Sequence, residues 1–205
     1  MRRLRRDSYA QEVYAFGAAL GILLGKVQIA EGVDWPQGQA GGGSMIYAGI
    51  DIGITGAIAA IKGEGEILEL WDMPCQIIRG GKRLRRQVDC GVLADYIDKL
   101  IGHGGATVAI EKQGSRPGER ATAAHSLGRS YGVIEQALAS ARIDYRIVTP
   151  QTWQHTTGVI KGSGKMGSLT RARELYPTCD QLSRKKDHGR ADALLIAEYC
   201  RRVSV

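Results

Sequence analysis

Three carboxylates stand in this sequence where packing alone has no use for them. Asp51 closes the apolar run Ile46 to Asp51, between Ile50 and Ile52. Glu111 follows Val108, Ala109 and Ile110, and Asp192 lies between Ala191 and the run Ala193 to Ala197. A charged carboxylate in such surroundings is costly unless a cation or a hydrogen-bond donor compensates the lost hydration. Several gathered in one place also repel one another and hold on to protons. A divalent cation removes both penalties, and oxygen donors suit Mg²⁺ or Mn²⁺. Two such ions about 3.5–4 Å apart can clamp an in-line displacement at a phosphodiester, one serving the attacking water and one the leaving 3′ oxygen. A single acid at a strand end more often caps or pairs. Three in such apolar runs point to metal-assisted phosphodiester hydrolysis.

Two further residues precede Asp192. His188 is one helical turn before it, provided the helix starts early enough. Asp187 or His188 can therefore supply a fourth ligand, and His188 can alternatively move a proton. The plainer role for Asp187 is to cap the helix. Lys165, in the glycine- and lysine-rich stretch Lys161 to Gly167, is a candidate to approach the scissile phosphate. His103, His125 and His155 carry no such pattern.

These residues need elements to bring them together. Ile46 to Asp51 reads as a buried central strand. Turns at Gly53–Gly56 and Gly63–Gly65 lead into strands Ala57 to Ile61 and Glu66 to Trp71, an antiparallel meander. A basic loop follows, then a helix from Cys90 to Ile101 that Asp89 can cap, with Val92, Leu93, Tyr96, Ile97 and Leu100 on one face. Thr107 to Glu111 is a fourth strand. A helix over residues 120–141 leads to a fifth strand, Ile143 to Val148, halted by Thr149–Pro150. A short helix holding Trp153, read as core packing, precedes the Lys161–Gly167 loop. Helices Ser168 to Tyr176 and Arg190 to Arg202 close the chain. The order predicts an α/β fold with a mixed five-stranded sheet, three strands antiparallel, flanked by helices. In it the first and fourth strands are neighbours, so Asp51 and Glu111 converge and the last helix brings Asp192 over them.

Length and charge fit that picture. The chain has 205 residues, a net charge of +7 and a pI near 9.4. That suits one domain with an appendage and an anionic partner. Arg2, Arg3, Arg5 and Arg6 before the mildly apolar Tyr14 to Gly25 superficially resemble a secretory leader. Asp7, Gln11 and Glu12 interrupt it, and no small-x-small cleavage site follows. Residues 1–44 read instead as an N-terminal extension, a helix Ser8 to Ile29 and a flexible linker Gly38 to Ser44. Residues 45–205 form the domain. No apolar run reaches the roughly 20 residues that span a bilayer, so no membrane partner is expected. Cys75, Cys90, Cys179 and Cys200 are scattered without zinc spacing, which suits free thiols in a reducing cytoplasm.

The basic residues point to a target. Arg79, Lys82, Arg83, Arg85 and Arg86 fill the loop before the first helix. Lys112, Arg116, Arg120, Lys161, Arg184, Lys185 and Lys186 are the other candidates for phosphate contacts. A charge run is usually a solvated face. Here Lys112 and Lys186 flank the expected ligands, which favours DNA.

At this point the motifs resemble a family. Ala48-Gly-Ile-Asp51-Ile-Gly53-Ile-Thr-Gly56-Ala resembles the first-strand motif of RuvC-type Holliday-junction resolvases, and Val108-Ala-Ile-Glu111-Lys-Gln their second acidic motif. Gly128-Arg-Ser-Tyr-Gly132, Thr149-Pro-Gln-Thr-Trp153 and Lys186-Asp-His-Gly-Arg-Ala-Asp192-Ala-Leu resemble elements of the phage and plastid members. The likeness spans nearly all of Met45 to Arg202. It implies an RNase H-like fold and a homodimer that cuts opposed strands of a four-way DNA junction with Mg²⁺ or Mn²⁺, on nucleoid DNA of a bacterial or phage-infected cell. It also implies Asp51, Glu111, Asp187 and Asp192 as the metal-binding carboxylates. One departure is that bacterial RuvC has an aromatic residue just after the second acidic motif, where this chain has Lys112, Gln113 and Gly114.

Other functions stay open on the residues alone. Cleavage of RNA–DNA hybrids and transposase-like activity use the same fold. A non-catalytic junction-binding protein would not need the carboxylates. Asp51-Ile-Gly53-Ile-Thr-Gly56 also resembles a phosphate loop of actin-like ATPases and sugar kinases. Those need a second such domain, and no second glycine-rich nucleotide motif is present, so no nucleotide cofactor is expected.

Overall fold

The computed structural model describes residues 45–80, 83–114, 118 and 120–204. The extension 1–44 and the candidates Lys82 and Arg116 lie outside the described residues. Among the described residues, seven strands and five helices follow in chain order: β1 (Ile46–Asp51), β2 (Ala57–Lys62), β3 (Ile67–Asp72), β4 (Cys75–Gly80), β5 (Arg83–Val88), α1 (Cys90–Gly102), β6 (Ala106–Glu111), α2 (Ala121–Ser140), β7 (Tyr145–Val148), α3 (Pro150–Thr157), α4 (Gly164–Leu175) and α5 (His188–Val203). A short 3₁₀ turn, Asp180–Leu182, precedes α5. No helix among the described residues is long and apolar enough to cross a membrane.

The main sheet has the order β3-β2-β1-β6-β7. β1 pairs antiparallel with β2 and β2 with β3, whereas β1–β6 and β6–β7 are parallel. This is the mixed five-stranded sheet that the element order predicts. Alternation along each strand sorts side chains onto two faces. On one face Ile46, Ala48, Ile50, Ile58, Ala60, Val108 and Ile110 pack with Leu93, Ile97 and Leu100 of α1 and Ile134 and Leu138 of α2. On the other, Tyr47, Ala57, Ala59, Ile61 and Ala109 pack with Ala193, Leu194, Ile196 and Ala197 of α5. Gly49 shares that second face. A methyl group there would fall 2.2 Å from the Ala193 carbonyl oxygen and 2.3 Å from the Ala197 nitrogen. The helix therefore seats directly on the strand backbone, a contact only glycine permits.

Local signals explain most boundaries. The Asp89 carboxylate accepts from Gly91 N at 3.0 Å and Val92 N at 3.2 Å, the cap expected for α1. Thr149 accepts from Thr152 N, and Pro150 occupies the first turn of α3, where its missing N–H costs nothing. Three expectations are corrected. The basic loop is a hairpin, β4–β5, forming a sheet of its own. The basic residues Arg79, Arg83, Arg85 and Arg86 break the apolar alternation by which strands are read, and Ile77 and Leu84 stay 67% and 69% exposed. The fifth strand starts at Tyr145 rather than Ile143. The expected Lys161–Gly167 loop ends early, because α4 begins at Gly164 and takes Lys165 into its first turn.

Candidate active site

Register and face together assemble the acids. β1 and β6 run parallel with Gly49 beside Ala109 and Ile50 beside Ile110. The next step along both strands brings Asp51 and Glu111 abreast, on the face that α5 covers. Both are nearly enclosed, 8% and 9% exposed. α5 starts at His188, so His188 and Asp192 sit one turn apart on it. Its first turn packs against the β1–β2 turn: a methyl group on Gly189 would lie 2.5 Å from the Thr55 carbonyl oxygen and 3.4 Å from Asp51 Oδ2. Asp51, Glu111, Asp192, His188, Lys112 and Gln113 all line one cleft of about 1010 Å³. Asp51, Glu111 and Asp192 thus face one cleft.

Electrostatics follow from that convergence. Burial, then the charges of Asp192 and Glu111, push the Asp51 carboxyl well above the usual carboxylate range, against a lowering hydrogen bond from Gln113. The Gln113 side-chain amide donates to Asp51 Oδ1 and to Glu111 Oε2, each at 2.9 Å. Trp153 Nε1 donates to the other Glu111 oxygen at 3.2 Å. Tyr131 Oη donates to the Glu111 carbonyl at 2.5 Å and accepts from Gln113 N at 2.7 Å, which ties α2 to the end of β6. Among the described residues, no three acidic, histidine or cysteine side chains are drawn together as a ready-made cation cage. An amide NH₂ instead bridges two carboxylates. The donor set nevertheless fits a hard divalent cation: carboxylate oxygens from three acids, the charges of Asp192 and Glu111 bearing on the buried Asp51.

Gln113, Tyr131 and Trp153 escape a reading by charge. Tyr131 and Trp153 stand inside the strings Gly128–Gly132 and Thr149–Trp153, and that resemblance was the available signal. Trp153 packs in the core, 1% exposed, as expected. It also holds a candidate ligand, which periodicity does not reveal.

The remaining candidates are placed differently. Asp187 occupies the N-cap position of α5, yet its side chain makes no capping hydrogen bond. Its carboxylate accepts from Arg184 N at 2.7 Å, from Nη2 at 2.7 Å and from Nε at 3.0 Å. The hydrogen bonds from Arg184 hold this carboxyl below the usual range. Asp187 does not line the cleft, and Arg184 is engaged in this ion pair rather than offered to a phosphate. Lys112 is on the cleft wall, and Arg85, Arg86 and Arg120 line a neighbouring groove. Arg79 is exposed on β4, Arg83 is in β5, Lys161 is exposed before α4, and Lys185 and Lys186 are exposed before α5.

Comparison with known proteins bears on this arrangement. No family model matches the sequence, and no curated protein matches it. Thermus thermophilus RuvC in complex with a Holliday junction substrate matches in structure over 76% of this chain and 91% of its own, at 17% identity and a TM-score of 0.50. The fold is that of RuvC. Thermus thermophilus RuvC in a second structure matches at 19% identity, covering 76% of this chain and 92% of that one with a TM-score of 0.45. The yeast mitochondrial Holliday junction resolvase Ydc2 matches at 12% identity over 84% of this chain and 81% of its own, with a TM-score of 0.43. At such identities only the RuvC fold, an RNase H-like sheet, carries over; the roles of residues rest on the geometry above.

Proposed function

We propose that this chain is a metal-dependent endonuclease that resolves branched DNA, four-way junctions foremost, by paired hydrolysis of opposed phosphodiesters as a homodimer. The observation that carries the reading is the parallel β1–β6 register, which sets Asp51 and Glu111 side by side beneath the helix bearing Asp192. Asp51, Glu111 and Asp192 would hold Mg²⁺ or Mn²⁺, two ions in the fullest form, with His188 of the same cleft completing the set. A bound divalent ion supplies Lewis acidity and a water acidified at neutral pH. The chain's own residues do the rest. Trp153 and Gln113 orient the two strand carboxylates. Lys112 offers charge to the phosphate, His188 is placed at the cleft wall to move a proton, and Lys165 lies in the turn of α4 that begins beside it. The RuvC fold supports a nuclease, and Thermus thermophilus RuvC, which shares it, forms a complex with a Holliday junction substrate.

The test is a cleavage assay with Mg²⁺ on a four-way junction, a flap, a plain duplex and an RNA–DNA hybrid, with Asp51→Asn beside the unmodified protein. Opposed nicks on the junction and little attack on duplex are expected, with junction binding kept and cutting lost in Asp51→Asn. Preferred cutting of the hybrid would replace the junction reading with a ribonuclease one. Unchanged cutting by Asp51→Asn would remove the site itself. Sedimentation of the same samples should give a dimer, since opposed cuts need two sites.

A further inference from the structure

Beside the acidic cleft lies a second groove, of about 570 Å³, between the β4–β5 hairpin and the N-terminal half of α2. Arg85 and Arg86 of β5 line it, opposite Arg120, His125 and Arg129. No acidic side chain lines it among the described residues. Five arginines elsewhere offer a contrast: Arg171, Arg184, Arg190, Arg201 and Arg202 each pair with a carboxylate. Four guanidiniums around one groove repel one another, and a polyanion turns that repulsion into attraction. The groove also receives the start of α2. Arg120 is its N-cap, and with no side-chain cap the helix turns the positive end of its dipole to the groove.

Two further features decide what kind of anion fits. Ala123 and Ser126 line both this groove and the acidic cleft, so the two adjoin. A chain of phosphates is long enough to occupy both, and an isolated phosphate is not. The wall is also partly apolar, with Ile78 and Leu84 among the arginines. A sugar–phosphate backbone presents the same mixture of charge and hydrocarbon.

Resting on the nuclease reading of the adjoining cleft, we propose that this groove is a backbone track: it holds the nucleic-acid strand running away from the phosphate to be cut. The β4–β5 hairpin is one wall of the track and α2 the other. Arg129 and His125, which nothing in the charge pattern of the sequence singles out, belong to it with Arg85, Arg86 and Arg120. The contacts are to phosphates, so they give affinity and register along the strand without reading bases.

The experiment is binding of a fluorescent four-way DNA junction by anisotropy, in EDTA so that nothing is cut, across a range of salt. Arg129→Gln and the pair Arg85→Gln/Arg86→Gln are compared with Arg142→Gln, an exposed arginine just past the other end of α2. Each track arginine removed should flatten the slope of log affinity against log salt by about 0.7–0.9. Affinity should fall several-fold for Arg129→Gln and further for the pair, while Arg142→Gln keeps the slope and affinity of the unmodified protein. Arg85→Lys/Arg86→Lys, which keeps the charge, should restore the slope, and thermal melts confirm that each variant is folded. Unchanged slopes in the glutamine variants, or an equal loss in Arg142→Gln, would overturn the track. If the unmodified protein binds the junction but never cuts it with Mg²⁺, the nuclease reading fails and the track stands on the slopes. If it cuts and the slopes do not move, the reverse holds. A protein that binds no DNA loses both.

Discussion

Two buried acids, Asp51 and Glu111, share three hydrogen-bond donors: both hydrogens of the Gln113 amide and the Trp153 indole. A carboxylate so held presents its remaining lone pairs in a fixed direction, which is what an outer partner contributes to a cation site. Trp153→Phe keeps the ring in its enclosed place and removes only the donor. We expect the Mg²⁺ concentration for half-maximal cleavage to rise about tenfold, with junction affinity in EDTA unchanged. A metal titration of cleavage rates checks this, and an unchanged requirement would mean that the indole only fills space. The carboxylates themselves were legible from the sequence because a charge inside an apolar run is an anomaly. Gln113 and Trp153 were not, because neither type is out of place where it stands.

The decisive element is α5, which lies across β1 and carries Asp192 and His188 to the strand ends. Its closeness depends on Gly49, where any side chain would strike the helix backbone. Gly49→Ala has no flexible neighbour to push aside, so the helix must lift or the strand must bend. A loss of about 2–3 kcal/mol of stability is expected, read as a lower denaturant midpoint, together with reduced cleavage as Asp192 moves off Asp51. An unshifted midpoint would show that the sheet yields at no cost. Strands β1, β2, β3 and β6 and helices α1, α2 and α5 could be read along the chain from apolar periodicity. The β4–β5 hairpin could not, because its strands bury little and their pairing is held by backbone hydrogen bonds and a neighbouring helix.

Across the whole molecule, Glu198 is the junction box of the face opposite the α1–α2 layer. Its carboxylate accepts from Arg201, Arg202 and Tyr176. Arg202 also donates to the Thr156 carbonyl of α3, and Arg201 to the Gly63 carbonyl of the β2–β3 turn. Burial alone would raise this carboxyl, but the hydrogen bonds and charges of Arg201 and Arg202 outweigh it and hold it below the usual range. A carboxyl with a folded value below its unfolded one stabilises the fold above the unfolded value of about 4.3, and that share is lost as pH falls through the folded value. Glu198→Gln should therefore lower the melting temperature by several degrees at pH 7, for a loss of about 2 kcal/mol. The gap between variant and unmodified protein should narrow as pH falls below about 4.3 and close once pH has passed the folded value. A gap that persists there would assign the effect to packing instead of charge.

The sequence by itself determined the chemistry on offer: acids in apolar runs, a basic surplus, and the alternation of strands and helices that must carry them. Those are local properties, set by the cost of burying charge and by the period of each element. Tertiary structure alone decided that the β1–β6 register sets two acids abreast, that Asp187 turns to Arg184, and that the arginines of a hairpin and a helix face one another across a groove. Such facts depend on residues far apart in the chain meeting in space, and no periodicity along the chain encodes the distance between them.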